Sequence, residues 1–177
     1  NLIGADFNEL ADIFEEQAKG LYDGGVDLYL IETSQDLLEV RAAIVGIRRM
    51  LKKEGAFRPI QVQITIDSNG RMLLGSGIES FLGAVIALNP SVVGFNCGMG
   101  PLEMLPTIEK LLKISPIPVS ALPNAGMPRN IDGKAVYSME PQKFAEALLP
   151  LVTESGLEVV GGCCGTTAAH IAALHTL

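Results

Sequence analysis

The chain has 177 residues, 48% of them apolar and 19% charged, with a net charge of −7 and a pI near 4.8. So apolar a chain buries a core and is not intrinsically disordered, and its 13 Lys and Arg residues make it a poor partner for nucleic acid, which requires clustered bases to neutralise phosphate. No apolar run approaches the roughly 18 residues of a membrane span. No basic stretch followed by an apolar one opens the chain, so no signal peptide is expected. It begins at Asn1, as a processed or cut chain would. Length predicts one domain. Of the three cysteines, Cys163 and Cys164 are adjacent; neighbouring cysteines rarely bond each other without strain. Without a secretory signal, a cytoplasmic, reducing setting is expected.

In chain order, apolar residues at helical spacing predict a helix over 6–22, with Asp6 or Asn8 as its cap and Gly24-Gly25 as its stop. A branched apolar run predicts a strand over 26–31, closed by Glu32. A helix over 36–52 follows, with Asp36 at its start and Arg48, Arg49, Lys52 and Lys53 near its end, where the helix dipole favours them. The pattern repeats with a strand over 59–66, a turn over 67–70, a helix over 78–88 and a strand over 91–96. Pro101 opens a helix over 101–114, and a strand spans 117–122. A polar stretch with Pro123, Gly126, Pro128 and Gly133 intervenes. A helix over 141–155, a strand over 157–161 and a helix over 166–177 complete the chain.

Strands and helices thus alternate, with strand starts about 25 to 40 residues apart, which implies a parallel sheet with right-handed crossovers. Two architectures fit such units: an open doubly wound sheet and a (β/α)₈ barrel. A whole barrel needs about 250 residues, so length alone favours the open sheet.

In parallel α/β folds, ligands sit at the carboxyl ends of the strands. Read in order, those ends carry Glu32-Thr33, Thr65 and Asp67, Asn96-Cys97, Pro123-Asn124, and Gly161-Gly162-Cys163-Cys164-Gly165-Thr166-Thr167. All three cysteines are therefore expected on one side of the sheet. A buried cysteine is ordinarily a small hydrophobe, but three converging thiols suit Zn²⁺, and three protein ligands leave a fourth position open, as catalytic zinc sites do. Glycines flanking Cys163 and Cys164 allow the sharp turn needed for two adjacent side chains to face one ion. Thr166 or Thr167 is expected to cap the last helix.

The segments Gly161–Thr167, Gly94-Phe95-Asn96-Cys97 and Pro123-Asn124-Ala125-Gly126 resemble the homocysteine S-methyltransferase family, and within it the homocysteine-binding domains of the cobalamin-dependent members. Ile31–Asp36 and Thr65–Arg71 extend the resemblance, which runs from about Gly24 to Ala173. It implies that residues 1–177 are a homocysteine-binding domain and that the fold is a (β/α)₈ TIM barrel, not the open sheet. The chain would hold roughly strands four to eight, with the first three missing. An acidic residue of the family's first strand, which meets the substrate's amino group, lies outside this sequence.

The implied activity is zinc-dependent transfer of a methyl group to the thiolate of homocysteine, giving methionine. Cys97, Cys163 and Cys164 would hold the metal. Glu32 would meet the substrate ammonium, Asn124 would lie beside metal and substrate, and Thr65 and Asp67 read as loop and turn residues with a weaker substrate role. Methylcobalamin is the donor implied, carried by another domain or chain; related enzymes use betaine or S-methylmethionine. Two other readings stay open: a zinc-binding barrel fragment without activity of its own, and a metal-free α/β protein using Cys163-Cys164 for thiol redox chemistry. A cut barrel also leaves two parallel sheet edges for the missing half or another chain to cover.

Other features read as structural. His170 and His175 are expected as surface or packing residues of the last helix. Gly75-Ser76-Gly77 is an incomplete phosphate-loop pattern, and the six Met residues are gap fillers.

Overall fold

The structure, a computed structural model, describes Gly4 and residues 6–176. Among the described residues, six α-helices and seven strands follow one another: α1 (Phe7–Asp23), β1 (Tyr29–Ser34), α2 (Leu37–Lys53), β2 (Ile60–Ile64), α3 (Ile78–Val85), β3 (Val92–Asn96), α4 (Pro101–Ile114), β4 (Val119–Leu122), β5 (Arg129–Ile131), β6 (Lys134–Val136), α5 (Pro141–Thr153), β7 (Val159–Val160) and α6 (Ala168–His175). The expected end of the last helix at Leu177 lies outside the described residues.

Caps set the helix starts. The Asp6 carboxylate accepts the Asn8 N–H at 2.8 Å, and Glu9 accepts the Asp6 N–H in return. Asp36 accepts the Leu38 N–H at 2.7 Å. Each satisfies a helix donor that has no partner within the helix. The α3 helix tightens into a 3₁₀ turn at Ile86–Leu88 and stops at Asn89, which adopts a left-handed φ of 51°.

Five strands form one parallel sheet in the order β1-β2-β3-β4-β7. The order never reverses, so the sheet has no topological switch point, and the doubly wound alternative that length favoured is not what the chain adopts. Because parallel crossovers are right-handed as a rule, a sequential order is expected to place the helices on one face. Accordingly α1 packs on α2, α2 on α3, α4 on α5 and α5 on α6. Ile60, Val62 and Ile64 of β2 enter the main core with Phe81, Phe95, Ile108 and Phe144, while Gln61 and Gln63 alternate to the opposite face. There Gln63, fully buried, donates to the Ser120 hydroxyl at 3.0 Å.

Two departures from the sequence reading have local causes. β1 begins at Tyr29, three residues later than periodicity suggests, and runs on to Ser34. Its pairing jumps from Ile31↔Val62 to Ser34↔Ile64, a bulge in which Glu32 and Thr33 together oppose Gln63. The polar stretch after β4 contains an antiparallel hairpin, β5–β6. Asp132 and Gly133 at its tip have φ of 51° and 79°, the pair of positive angles that a two-residue hairpin turn requires.

The two sheet edges, β1 and β7, have no strand partner among the described residues. Beside β1 a groove of about 350 Å³ is lined by Phe14, Leu21, Leu28, Leu30 and Glu32, and Leu28 and Leu30 are 47% and 44% exposed. No helix among the described residues is long and apolar enough to cross a membrane.

Gly94 shows how tightly the strands fit. A Cβ there would lie 2.0 Å from the Ser120 carbonyl oxygen, a backbone atom fixed by the ladder. Gly94→Ala is expected to cost on the order of 1–3 kcal/mol through overpacking, measured by urea unfolding; an unchanged midpoint would contradict this packing.

Candidate metal centre

Each cysteine is placed by backbone hydrogen bonds to the end of β4. Cys97 follows β3, and its N–H donates to the Leu122 carbonyl at 3.1 Å. The Cys163 N–H donates to the Pro123 carbonyl at 2.8 Å, and the Cys164 N–H to the Asn124 side-chain oxygen at 3.0 Å. Three successive residues therefore carry all three cysteines.

The chain bends to let this happen. Cys97 adopts φ 60°, a region that L-residues other than Asn, Asp and His seldom enter. Gly165 has φ 78°, and a Cβ there would fall 2.3 Å from the Tyr137 side chain. Thr167 caps α6, and the Thr166 hydroxyl donates to the Cys163 carbonyl at 2.6 Å.

The outcome is a cluster of sulfurs. The Sγ atoms of Cys97, Cys163 and Cys164 all lie within 4.8 Å of one another, and Cys97 and Cys164 are 3.6 Å apart. In a tetrahedral Zn²⁺ site with bonds of about 2.3 Å, neighbouring sulfurs stand about 3.8 Å apart. The donor set and spacing fit such an ion. Cys97 and Cys163 are half-buried and Cys164 is exposed. Burial pushes the Cys163 thiol up to about 12, reinforced by Cys97 and Cys164 beside it. Three thiolates so close repel one another, and a cation among them is what would allow all three to ionise.

Of the other sequence candidates, Glu32 lies on the β1 bulge, linked to the cluster through Asn96: the Asn96 Nδ2 group donates to Glu32 Oε2 at 2.9 Å and reaches Cys163 Sγ at 3.7 Å. Asn124 is buried and holds the Cys164 backbone. Thr65 donates its hydroxyl to the Asn96 carbonyl at 3.1 Å, supporting the strand end. Asp67 is not brought into this network. Its carboxylate accepts the Asn69 and Arg71 N–H groups of its own turn, and the Arg71 bond foremost lowers its pKa below the usual carboxylate value.

Two neighbours were not singled out in the sequence as site residues. Asn96 stands inside the Gly-Phe-Asn-Cys segment but reads there as a strand terminus. Tyr137, just after the hairpin, comes within reach of Cys164; burial raises its phenol pKa, and a hydrogen bond with Cys164 adds to that. Its only sequence signal was the Asp-Gly turn that sends the chain back to the cluster. His170 is a packing residue, as expected: it stacks edge-on against Phe144 at 5.4 Å. Its Nδ1 accepts the Thr167 N–H, so Nε2 carries the proton donated to the Met139 carbonyl at 2.9 Å. His175 is exposed.

The family model for homocysteine S-methyltransferase matches residues 1–177. The chain belongs to the homocysteine S-methyltransferase family. It is 44% identical over 166 residues to the methionine synthase of Mycobacterium leprae (strain TN), and 43% identical to that of Mycobacterium tuberculosis (strain ATCC 25618 / H37Rv). Each match covers 94% of this chain but only 14% of the relative, so the chain is a homologue of a small part of those enzymes. Among solved structures, the apo form of the homocysteine methyltransferase MmuM from Escherichia coli superposes with a TM-score of 0.74 at 21% identity, over 97% of this chain and 57% of that one. The metallated form of MmuM gives 0.71 at 22%, over 94% and 51%. The five-stranded parallel sheet is thus part of that fold.

In chelator-treated protein, iodoacetamide is expected to label exposed Cys164 first and Cys163 last. Because the Cys163 pKa is raised, its thiolate accumulates only as pH climbs toward about 12, so its labelling rate should still be rising above pH 9. Peptide mass spectrometry that finds Cys163 labelled first at pH 8 would contradict the site's electrostatics.

Proposed function

We propose that this chain forms strands four to eight of a (β/α)₈ homocysteine-binding barrel, and that the barrel transfers a methyl group to homocysteine to give methionine. The observation that carries the reading is the convergence of Cys97, Cys163 and Cys164 sulfurs within 4.8 Å at the carboxyl ends of parallel strands, in a chain whose family is homocysteine S-methyltransferase. The bare β1 and β7 edges support the barrel part of the proposal, since parallel sheets are normally covered; the missing strands, or another chain, would pair with them.

Cys97, Cys163 and Cys164 would hold Zn²⁺, which when bound supplies a Lewis acid that favours the ionised form of the homocysteine thiol at neutral pH. The exposed side of Cys164 leaves substrate an approach to the cluster. The Glu32 carboxylate, aimed by the bulge, would pair with the substrate ammonium. Asn124 keeps Cys164 in place, and Thr65 keeps Asn96 in place. Asp67 holds the loop after β2 and would take the weaker substrate role. In the overall exchange the homocysteine sulfur loses a proton and gains the methyl group that the donor gives up. The donor proposed is methylcobalamin on another module, which follows from the resemblance to cobalamin-dependent members; methionine synthase relatives of far greater length leave room for such a module.

The first test is metal content and turnover. The protein should retain about one zinc per chain, and Cys97→Ala should lower retention by at least 10-fold, as loss of one of three ligands implies. Methionine should form from homocysteine with methylcobalamin in protein of the relatives' length. Zinc absent after replete expression would leave the metal-free redox reading, and zinc without methyl transfer from methylcobalamin, betaine or S-methylmethionine would leave a zinc-binding remnant.

A further inference from the structure

We propose that Asn96 is a positioning residue that locks the substrate carboxylate Glu32 to the metal ligand Cys163 by donating one amide hydrogen toward each, an inference that rests on the metal-centre reading above. Asn96 is the last residue of β3 and only 3% exposed. The orientation of its amide follows from chemistry. The Thr33 N–H lies 2.8 Å from Asn96 Oδ1, and a backbone N–H can only donate, so the oxygen must face it. The NH₂ group therefore faces the other way, where it meets Glu32 Oε2 at 2.9 Å, Thr33 Oγ1 at 2.8 Å and Cys163 Sγ at 3.7 Å. The Thr33 hydroxyl in turn donates to Glu32 Oε2.

Backbone strain supports the assignment. Thr33 is β-branched yet adopts φ 54°, an outlier region for such a residue. The conformation persists because the β1 bulge turns the Thr33 N–H into Asn96, and bulges beside sites commonly re-aim a side chain. The next residue, Cys97, is also left-handed at φ 60°. Asn96 thus sits between two distorted positions, joining the strand that carries the carboxylate to the loop that carries the sulfur. A hydrogen bond to a thiolate withdraws electron density from it and fixes its lone pairs, and partners of this kind orient metal ligands.

Asn96→Asp separates this role from simple support. The aspartate keeps an oxygen toward the Thr33 N–H but has no hydrogen to give Glu32 or Cys163. With cobalt(II) in place of zinc, the sulfur-to-metal charge-transfer band of the variant should move to longer wavelength. In the protein at its natural length, KM for homocysteine should rise on the order of 10- to 100-fold, as loss of an outer partner does, with a smaller change in kcat. A second measurement needs no substitution: in protein loaded with cadmium-113, an Asn96 Nδ2 proton should show scalar coupling to the metal through Cys163 Sγ. An unchanged band and KM in Asn96→Asp, or cysteine-bound cadmium with no coupling to Asn96, would overturn the proposal. Cobalt or cadmium that never engages the cysteines would overturn the metal-centre reading itself, and this role with it.

Discussion

The end of β4 is the constraint on which the site depends. Leu122, Pro123 and Asn124 accept the N–H groups of Cys97, Cys163 and Cys164 in turn. Cys97 and Cys163 are 66 positions apart in sequence, yet their separation in space is set by two adjacent carbonyls on one strand. Parallel pairing of β3 with β4 and of β4 with β7 delivers both flanking strands to those carbonyls in register. A slip of register would remove the cluster, because each strand position faces a different neighbour. The site is anchored close to the sheet, through two backbone carbonyls and one short, buried side chain, Asn124.

Distortion is concentrated where the chemistry lies. Thr33 and Cys97 both take left-handed backbone angles, and both are tied down by named bonds, to Asn96 and to Leu122. Such strain survives only where the surroundings over-determine it. Beneath this layer, Gln63 and Ser120 meet across Gly94, where no side chain would fit. The sheet thus has a tightly filled floor, strained rims above it, and three sulfurs at the carboxyl ends of β3 and the edge strand β7. That arrangement suits a metal that must keep one coordination position free for a substrate thiol.

Much of this was legible in the sequence because the strand ends carry chemically unusual residues. The alternation of helices and strands, the α4 bounds and the grouping of the three cysteines follow from periodicity and from the rule that ligands collect at strand carboxyl ends. Length misled: it favoured an open doubly wound sheet, because nothing in 177 residues distinguishes a small whole domain from an arc of a larger one. The Glu32-Thr33 bulge was hidden because a bulge depends on pairing with a distant strand. Asn96 and Tyr137 carry no signal as site residues in the sequence, because their importance comes from what lies opposite them in space. Asp67 reads from sequence as a turn residue with a weaker substrate role, and its carboxylate does hold its own turn.

The central claim is that the cysteine cluster holds zinc with a position reserved for homocysteine sulfur. X-ray absorption at the zinc edge tests it most directly. The account predicts three sulfur neighbours at about 2.3 Å in the protein alone and a fourth at similar distance once homocysteine is added. A first shell that stays unchanged on saturation with homocysteine would contradict it.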